Sequence, residues 1–94
     1  MEKYFIEKLK ASGNYSAIGT YLVKGNQNEI DIVAINDDEK KMLIAEVKRN
    51  PRKIDISLLE GKAQKLLQKH KGYEIQFKGY SMEDMSKGEL FFKR

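Results

Sequence analysis

The sequence predicts one α/β domain, ordered α-β-β-β-α-β, with a mixed central sheet flanked by helices on both faces. Three observations predict it. Apolar residues recur at helical spacing near the N-terminus and again in the second half of the chain. Between and after those segments they recur at strand spacing, with polar turns separating the runs. Two consecutive strands are apolar on both faces, as strands at the centre of a covered sheet must be. The chain of 94 residues suits this, being one small domain spanning 1–94 with no room for a second.

Residues 2 to about 11 read as a helix with Phe5, Ile6 and Leu9 on one stripe, ended by Ser12-Gly13-Asn14. Ala17 to Lys24 reads as a strand, Gly25 to Asn28 as a turn, and Glu29 to Ile35 as a second strand rich in β-branched residues. Asn36 to Lys40 is a polar turn, and Met42 to Lys48 a third strand that closes an antiparallel hairpin. Pro51 interrupts the chain. Asp55 or Ser57 then caps a helix expected to run to about Lys71, with Leu59, Ala63, Leu66, Leu67 and His70 on one stripe. Gly61 weakens that helix by about 1 kcal/mol relative to alanine, and Gly72 closes it. Tyr73, Ile75 and Phe77 alternate with polar residues in a half-buried strand. Ser81 caps a last short helix, and Leu90 to Phe92 suggest an edge strand.

Composition removes several chemistries. There is no cysteine, which excludes disulfides, thiolate metal sites and cysteine nucleophiles, and His70 alone cannot build a histidine cluster. No apolar run approaches the ~20 residues of a membrane span, so a cytoplasmic protein with no membrane partner is expected. Charge is unevenly placed. Residues 48 to 71 hold eight Lys or Arg against two acids, while the remainder holds ten bases against twelve acids. A basic block beside a near-neutral remainder is the footprint of a polyanion binder, and a lysine-rich solvated helix face is the plainer alternative.

The hairpin carries the chemistry. A turn centred between Asp38 and Glu39 pairs residues whose numbers sum to 77, which sets Asp31 opposite Glu46 and Glu29 opposite Lys48. Period two then puts Asp31, Glu46 and Lys48 on one face with Val33, Ile35, Met42 and Ile44. Ile30, Ile32, Ala34, Leu43, Ala45 and Val47 take the other face. Opposed carboxylates repel, and a divalent cation such as magnesium or manganese removes that penalty. The Val47 carbonyl, between Glu46 and Lys48, is a further oxygen donor. Lys48 beside the ion would orient a water or stabilise charge on a phosphorane. The alternative is a salt-bridged sheet end in which Lys48 neutralises Glu46 or Glu29. Arg49, Arg52 and Lys53 follow directly and suit phosphate contacts, which are independent of sequence and sensitive to salt.

Asn28-Glu-Ile-Asp-Ile-Val-Ala34 and Leu43-Ile-Ala-Glu-Val-Lys48 resemble the signature of the PD-(D/E)xK nuclease superfamily, whose restriction-endonuclease-like core is also α-β-β-β-α-β. With Ile18-Gly-Thr-Tyr21 and Phe77-Lys-Gly-Tyr-Ser81 added, the chain is most similar to the nuclease-like domain at the C-terminus of archaeal-type ATPases. Archaeal Holliday junction resolvases are a more distant likeness. The resemblance implies that Asp31 and Glu46 hold the metal and that Lys48 is the catalytic lysine. It implies a further metal carboxylate on the first helix, matched by Glu2 ahead of Phe5, Ile6 and Leu9, whereas Glu7 falls on the solvated face. It also implies a Lys or Gln contribution from the second helix, where Lys62, Gln64 and Lys65 stand. Lys62 read plainly is a snorkelling side chain over Leu59 and Leu66. The proline of the motif name is absent, Ile30 preceding Asp31.

The expected function is a magnesium-dependent nuclease-type domain acting on DNA, its partners being DNA and an ATPase, fused or separate, with a homodimer compatible. Two other classes stay open. One is a DNA-binding accessory domain of an ATPase with little or no cleavage, and the other is a protein-interaction module on the same scaffold.

Overall fold

The computed structural model describes residues 2–22 and 29–84. The strand end at Val23–Lys24, the turn at Gly25–Asn28 and the edge strand at Leu90–Phe92 lie outside the described residues. The elements are α1 (Glu2–Ser12), β1 (Ala17–Tyr21), β2 (Ile30–Asn36), β3 (Lys41–Val47), a 3-10 turn (Pro51–Lys53), α2 (Ile56–Lys62), α3 (Gln64–Lys69) and β4 (Glu74–Tyr80). The sheet runs β1-β2-β3-β4, antiparallel except for the parallel β3–β4 pair, and helices cover both faces. The architecture is the mixed α/β fold expected. No helix among the described residues is long and apolar enough to cross a membrane.

Two apolar clusters hold the layers together. On one face Val33, Met42 and Ile44 meet Leu59, Ala63 and Leu66, the stripe expected of the second helical segment. On the other, Ile32, Ala45 and Val47 meet Phe5 of α1, with Ile6, Leu9, Ile18 and Tyr80 packed around them. The Phe5 and Tyr80 rings stack at 4.5 Å, locking the start of α1 over the end of β4. Burying each such large side chain stabilises the fold by roughly 1.5–3 kcal/mol.

The hairpin register is the expected one, running from Asn36↔Lys41 to Ile32↔Ala45. Period two, however, does not persist along all of β2. Gly19 pairs with Val33 and Tyr21 with Ile30, so Asp31 and Ile32 together oppose Thr20 in a β-bulge. Ile30 consequently packs with the α2–α3 cluster instead of beside Ile32, correcting the face assignment. A bulge bends a strand and re-aims its side chains. Here it falls on Asp31.

The second helical segment is also not continuous. It breaks at Ala63, which ends α2 and opens α3. The Gln64 side-chain amide donates to the Glu60 carbonyl at 2.9 Å, taking the acceptor that a regular turn would give to the Gln64 backbone. The segment stops at Lys69, short of Lys71, with His70 as its cap and Gly72 turning the chain at φ 90°. The turn at Pro51–Lys53 was not anticipated; Asn50 caps it by accepting from the Arg52 N–H. Ser81 begins a helical turn at residues 82–84, its N–H donating to Asp84 Oδ2 at 2.7 Å.

Candidate functional site

The hairpin ladder ends one pair before Asp31 would meet Glu46. Half-buried Asp31 substitutes its side chain for the missing backbone partner: Oδ2 accepts the Val47 N–H at 2.8 Å. The bulge leaves the Asp31 carbonyl to the Thr20 hydroxyl, which donates to it at 3.1 Å. A carboxylate is thus fixed between the two strands by a charge-assisted bond. An extended residue sends its N–H and C=O to the same strand edge, so the Val47 carbonyl also faces the β2 side.

Glu2, at the first turn of α1, and Glu29, just before β2, complete an acidic group with Asp31. One oxygen from each lies within 4.8 Å of the other two, and the group could hold a metal ion. Although Glu2 is exposed as a residue, desolvation of its carboxyl raises its pKa above the ordinary value of 4.5. The negative charges of Asp31 and Glu29, and a hydrogen bond to Asp31, raise it further. A cation seated there would relieve that repulsion.

Glu46 stands apart from this group. It is 6% exposed, its Oε2 accepts the Asp55 N–H at 3.2 Å, and its Oε1 lies 3.6 Å from Lys48 Nζ. Asp55 is itself the α2 cap, its Oδ1 accepting from the Leu58 N–H at 3.1 Å. Glu46 is therefore tied at once to the start of α2 and to a lysine whose side chain is 44% exposed. Gly79 of β4, opposite Glu46 in the parallel ladder, leaves the room in which Ile54 packs.

The structure thus brings Glu2 to Asp31, and Lys48 to Glu46. Val47 links the pairs, through its bond to Asp31 and its place between Glu46 and Lys48. Arg49, Arg52, Lys53 and Lys65 are exposed, while Lys62 is half-buried at the end of α2. Gln64 is spent on the Glu60 carbonyl. Glu29, read from sequence only as a possible partner of Lys48, was missed as a member of the carboxylate group, and the Asp55 N–H contact was missed altogether. Glu29 had a signal, standing two residues before Asp31, but its approach to Glu2 needs α1 docked on the sheet. The Asp55 contact had none, because a backbone donor has no side-chain signature.

No curated protein and no solved structure matches the chain. A family model matches residues 1–65, the stretch from α1 through α2 that carries Glu2, Glu29, Asp31, Glu46 and Lys48. The chain belongs to that family, DUF234, described as archaea bacterial proteins of unknown function.

Proposed function

We propose that this chain is a metal-dependent nuclease-type domain hydrolysing DNA phosphodiester bonds. The observation that carries the reading is the clamp at the end of the hairpin. There the Asp31 carboxylate holds the Val47 N–H, flanked by Glu2 and Glu29 on one side and by the Glu46–Lys48 pair on the other. The donors are all carboxylate or carbonyl oxygens, a set that suits hard cations such as magnesium or manganese. Glu2, Glu29 and Asp31 would hold the ion, with the Val47 carbonyl as a further oxygen; Glu46, a donor expected from sequence, instead faces Lys48 and the Asp55 N–H beside them. When bound, it polarises the phosphate and lowers the pKa of a water.

The chain's own residues do the rest. Lys48 keeps a positive charge next to Glu46, where it can orient a water and stabilise charge developing on phosphate oxygens. Asp31, anchored on β3, sets the spacing between the hairpin strands. Arg49, Arg52, Lys53, Lys62 and Lys65 offer cations to backbone phosphates, which position DNA without reading its bases.

A second reading is a DNA-binding accessory domain of an ATPase with little or no cleavage. It is favoured by Glu46, both of whose oxygens already face partners within the chain. Cleavage of plasmid and branched DNA in magnesium or manganese separates the two. We expect nicking or linearisation by the native chain and a loss of about 10²–10⁴-fold in Lys48→Ala. Asp31→Asn should also lose it, together with the rise in melting temperature that magnesium gives the native chain. Salt-sensitive DNA binding without cleavage in either metal supports the accessory reading. Absence of both binding and cleavage overturns both readings and leaves a protein-interaction module.

A further inference from the structure

Among the described residues, β4 pairs along one edge only, with β3. Two bonds show which of its backbone groups face that partner. The Glu74 N–H donates to the Lys40 carbonyl at 2.7 Å, and the Tyr80 carbonyl accepts the Lys48 N–H at 3.0 Å. Alternation along a strand then turns the N–H and C=O of Ile75, Phe77 and Gly79 toward the opposite edge. A row of such groups is a template for another strand.

The side chains select which strand. Glu74, Gln76 and Lys78 are exposed on the sheet face away from α2 and α3, and Lys78 Nζ stays on that face, 5.0 Å from the Tyr80 ring. Ile75 and Phe77 are half-buried on the other face, packed against the α2–α3 cluster. Antiparallel pairing of β4 with itself about a two-fold axis needs outward-facing residues opposite one another, which admits few registers. Centred on Ile75 it faces Glu74 with Gln76, and centred on Phe77 it faces Glu74 with Tyr80. Centred on Lys78 it sets the ammonium against its own copy. Centred on Gln76 it sets Glu74 opposite Lys78 twice, and lets Ile75 and Phe77 exchange both backbone hydrogen bonds. In that register the Glu74–Lys78 pairs occupy the non-hydrogen-bonded positions, where side chains come closest.

We propose that β4 pairs antiparallel with β4 of a second copy of this chain, about a two-fold axis through Gln76, joining the four strands of the described residues and those of the copy into one continuous sheet. The interface is isologous, as a two-fold requires. The inference rests on the sheet edge and not on the nuclease reading.

The test is light scattering with size-exclusion chromatography on the full chain across a concentration series, with amide exchange at Ile75 and Phe77. We expect a species of twice the 10.9 kDa chain mass, and protection of those two amides that grows with protein concentration. Lys78→Glu places like charges opposite each other at both ends and should weaken the dimer by at least about 10-fold, as should Glu74→Lys. The double charge exchange, Glu74→Lys with Lys78→Glu, should return the dissociation constant to within about 3-fold of the native chain. These positions are exposed, so circular dichroism should be unchanged in all three variants. A monomer at every concentration overturns the proposal, as does protection of Ile75 and Phe77 in a monomer, which would mean that the chain covers this edge itself. A dimer whose double exchange is no stronger than either single variant overturns the register.

Discussion

At the scale of single residues, the structure is decided by where polar groups find partners. Asp31 caps an orphaned N–H between strands, and Glu46 accepts another at the start of α2. No buried side-chain polar atom lacks a partner among the described residues. Tyr73 shows the same economy at the other end of the sheet, donating its hydroxyl to Asp37 Oδ1 at 2.7 Å. That hydrogen bond, then desolvation and the Asp37 charge, raises the Tyr73 phenol above its ordinary value of 10.0. A group raised in the folded state contributes stability that is fully present below the unfolded value and is lost as pH rises through the folded one. As pH rises above about 10 the melting temperature of the native chain should therefore fall further than that of Tyr73→Phe. Parallel decline of the two melting curves would show that the bond does not contribute.

The element scale is governed by junctions. The bulge in β2 redirects Asp31, the break at Ala63 splits one helical segment into two, and Gly79 admits Ile54 beneath the start of α2. A Cβ on Gly79 would press on Ile54 Cγ2 and stand 2.8 Å from its Cδ1. Both atoms belong to a β-branched side chain that cannot easily turn away. Gly79→Ala should cost about 1–3 kcal/mol in chemical denaturation, as overpacking does. Ile54→Val removes the Cδ1 contact, so Gly79→Ala with Ile54→Val should recover part of that loss. Simple additivity of the two would show that the crowding lies elsewhere. Because Asp55 follows Ile54 and donates to Glu46, the substitution should also disturb the carboxylate that Lys48 faces.

For the whole molecule, charge placement matters more than net charge, which is only +4. Acidic Glu2, Glu29 and Asp31 gather where α1 meets the sheet, while the bases follow β3 into the turn and helices. If three to five of Arg49, Arg52, Lys53, Lys62 and Lys65 contact phosphates, the logarithm of DNA affinity should fall with the logarithm of salt with a slope of about −2.7 to −4.5. Replacing Arg52 by Ala should reduce that slope by about 1 and leave the melting temperature unchanged, since Arg52 is exposed. A slope near zero would remove the polyanion from the proposed partners.

Periodicity and turn chemistry were enough to read the element order, the hairpin register, the two-sided burial of β2 and β3 and a helix cap at Asp55 or Ser57, of which the structure uses Asp55, because each depends on neighbours in the chain. The apolar stripe of Leu59, Ala63 and Leu66 was legible for the same reason, although the break within it was not. At that break the Glu60 carbonyl accepts from both the Gln64 side chain and the Ala63 N–H, a detail that spacing in the chain does not announce. The candidate site was legible as residue types: Asp31, Glu46 and Lys48 were named from strand alternation, and Glu2 from a resemblance. Their grouping was not. Strict alternation puts Asp31 beside Glu46, but a bulge of one residue, visible only once β1 pairs with β2, fixes Asp31 on Val47 and brings it to Glu2 and Glu29. The sequence by itself determined which side chains reach this end of the sheet. Only the tertiary structure decided which of them meet, because that is set by docking α1, α2 and β1 onto the hairpin, contacts between segments whose spacing in the chain carries no signal.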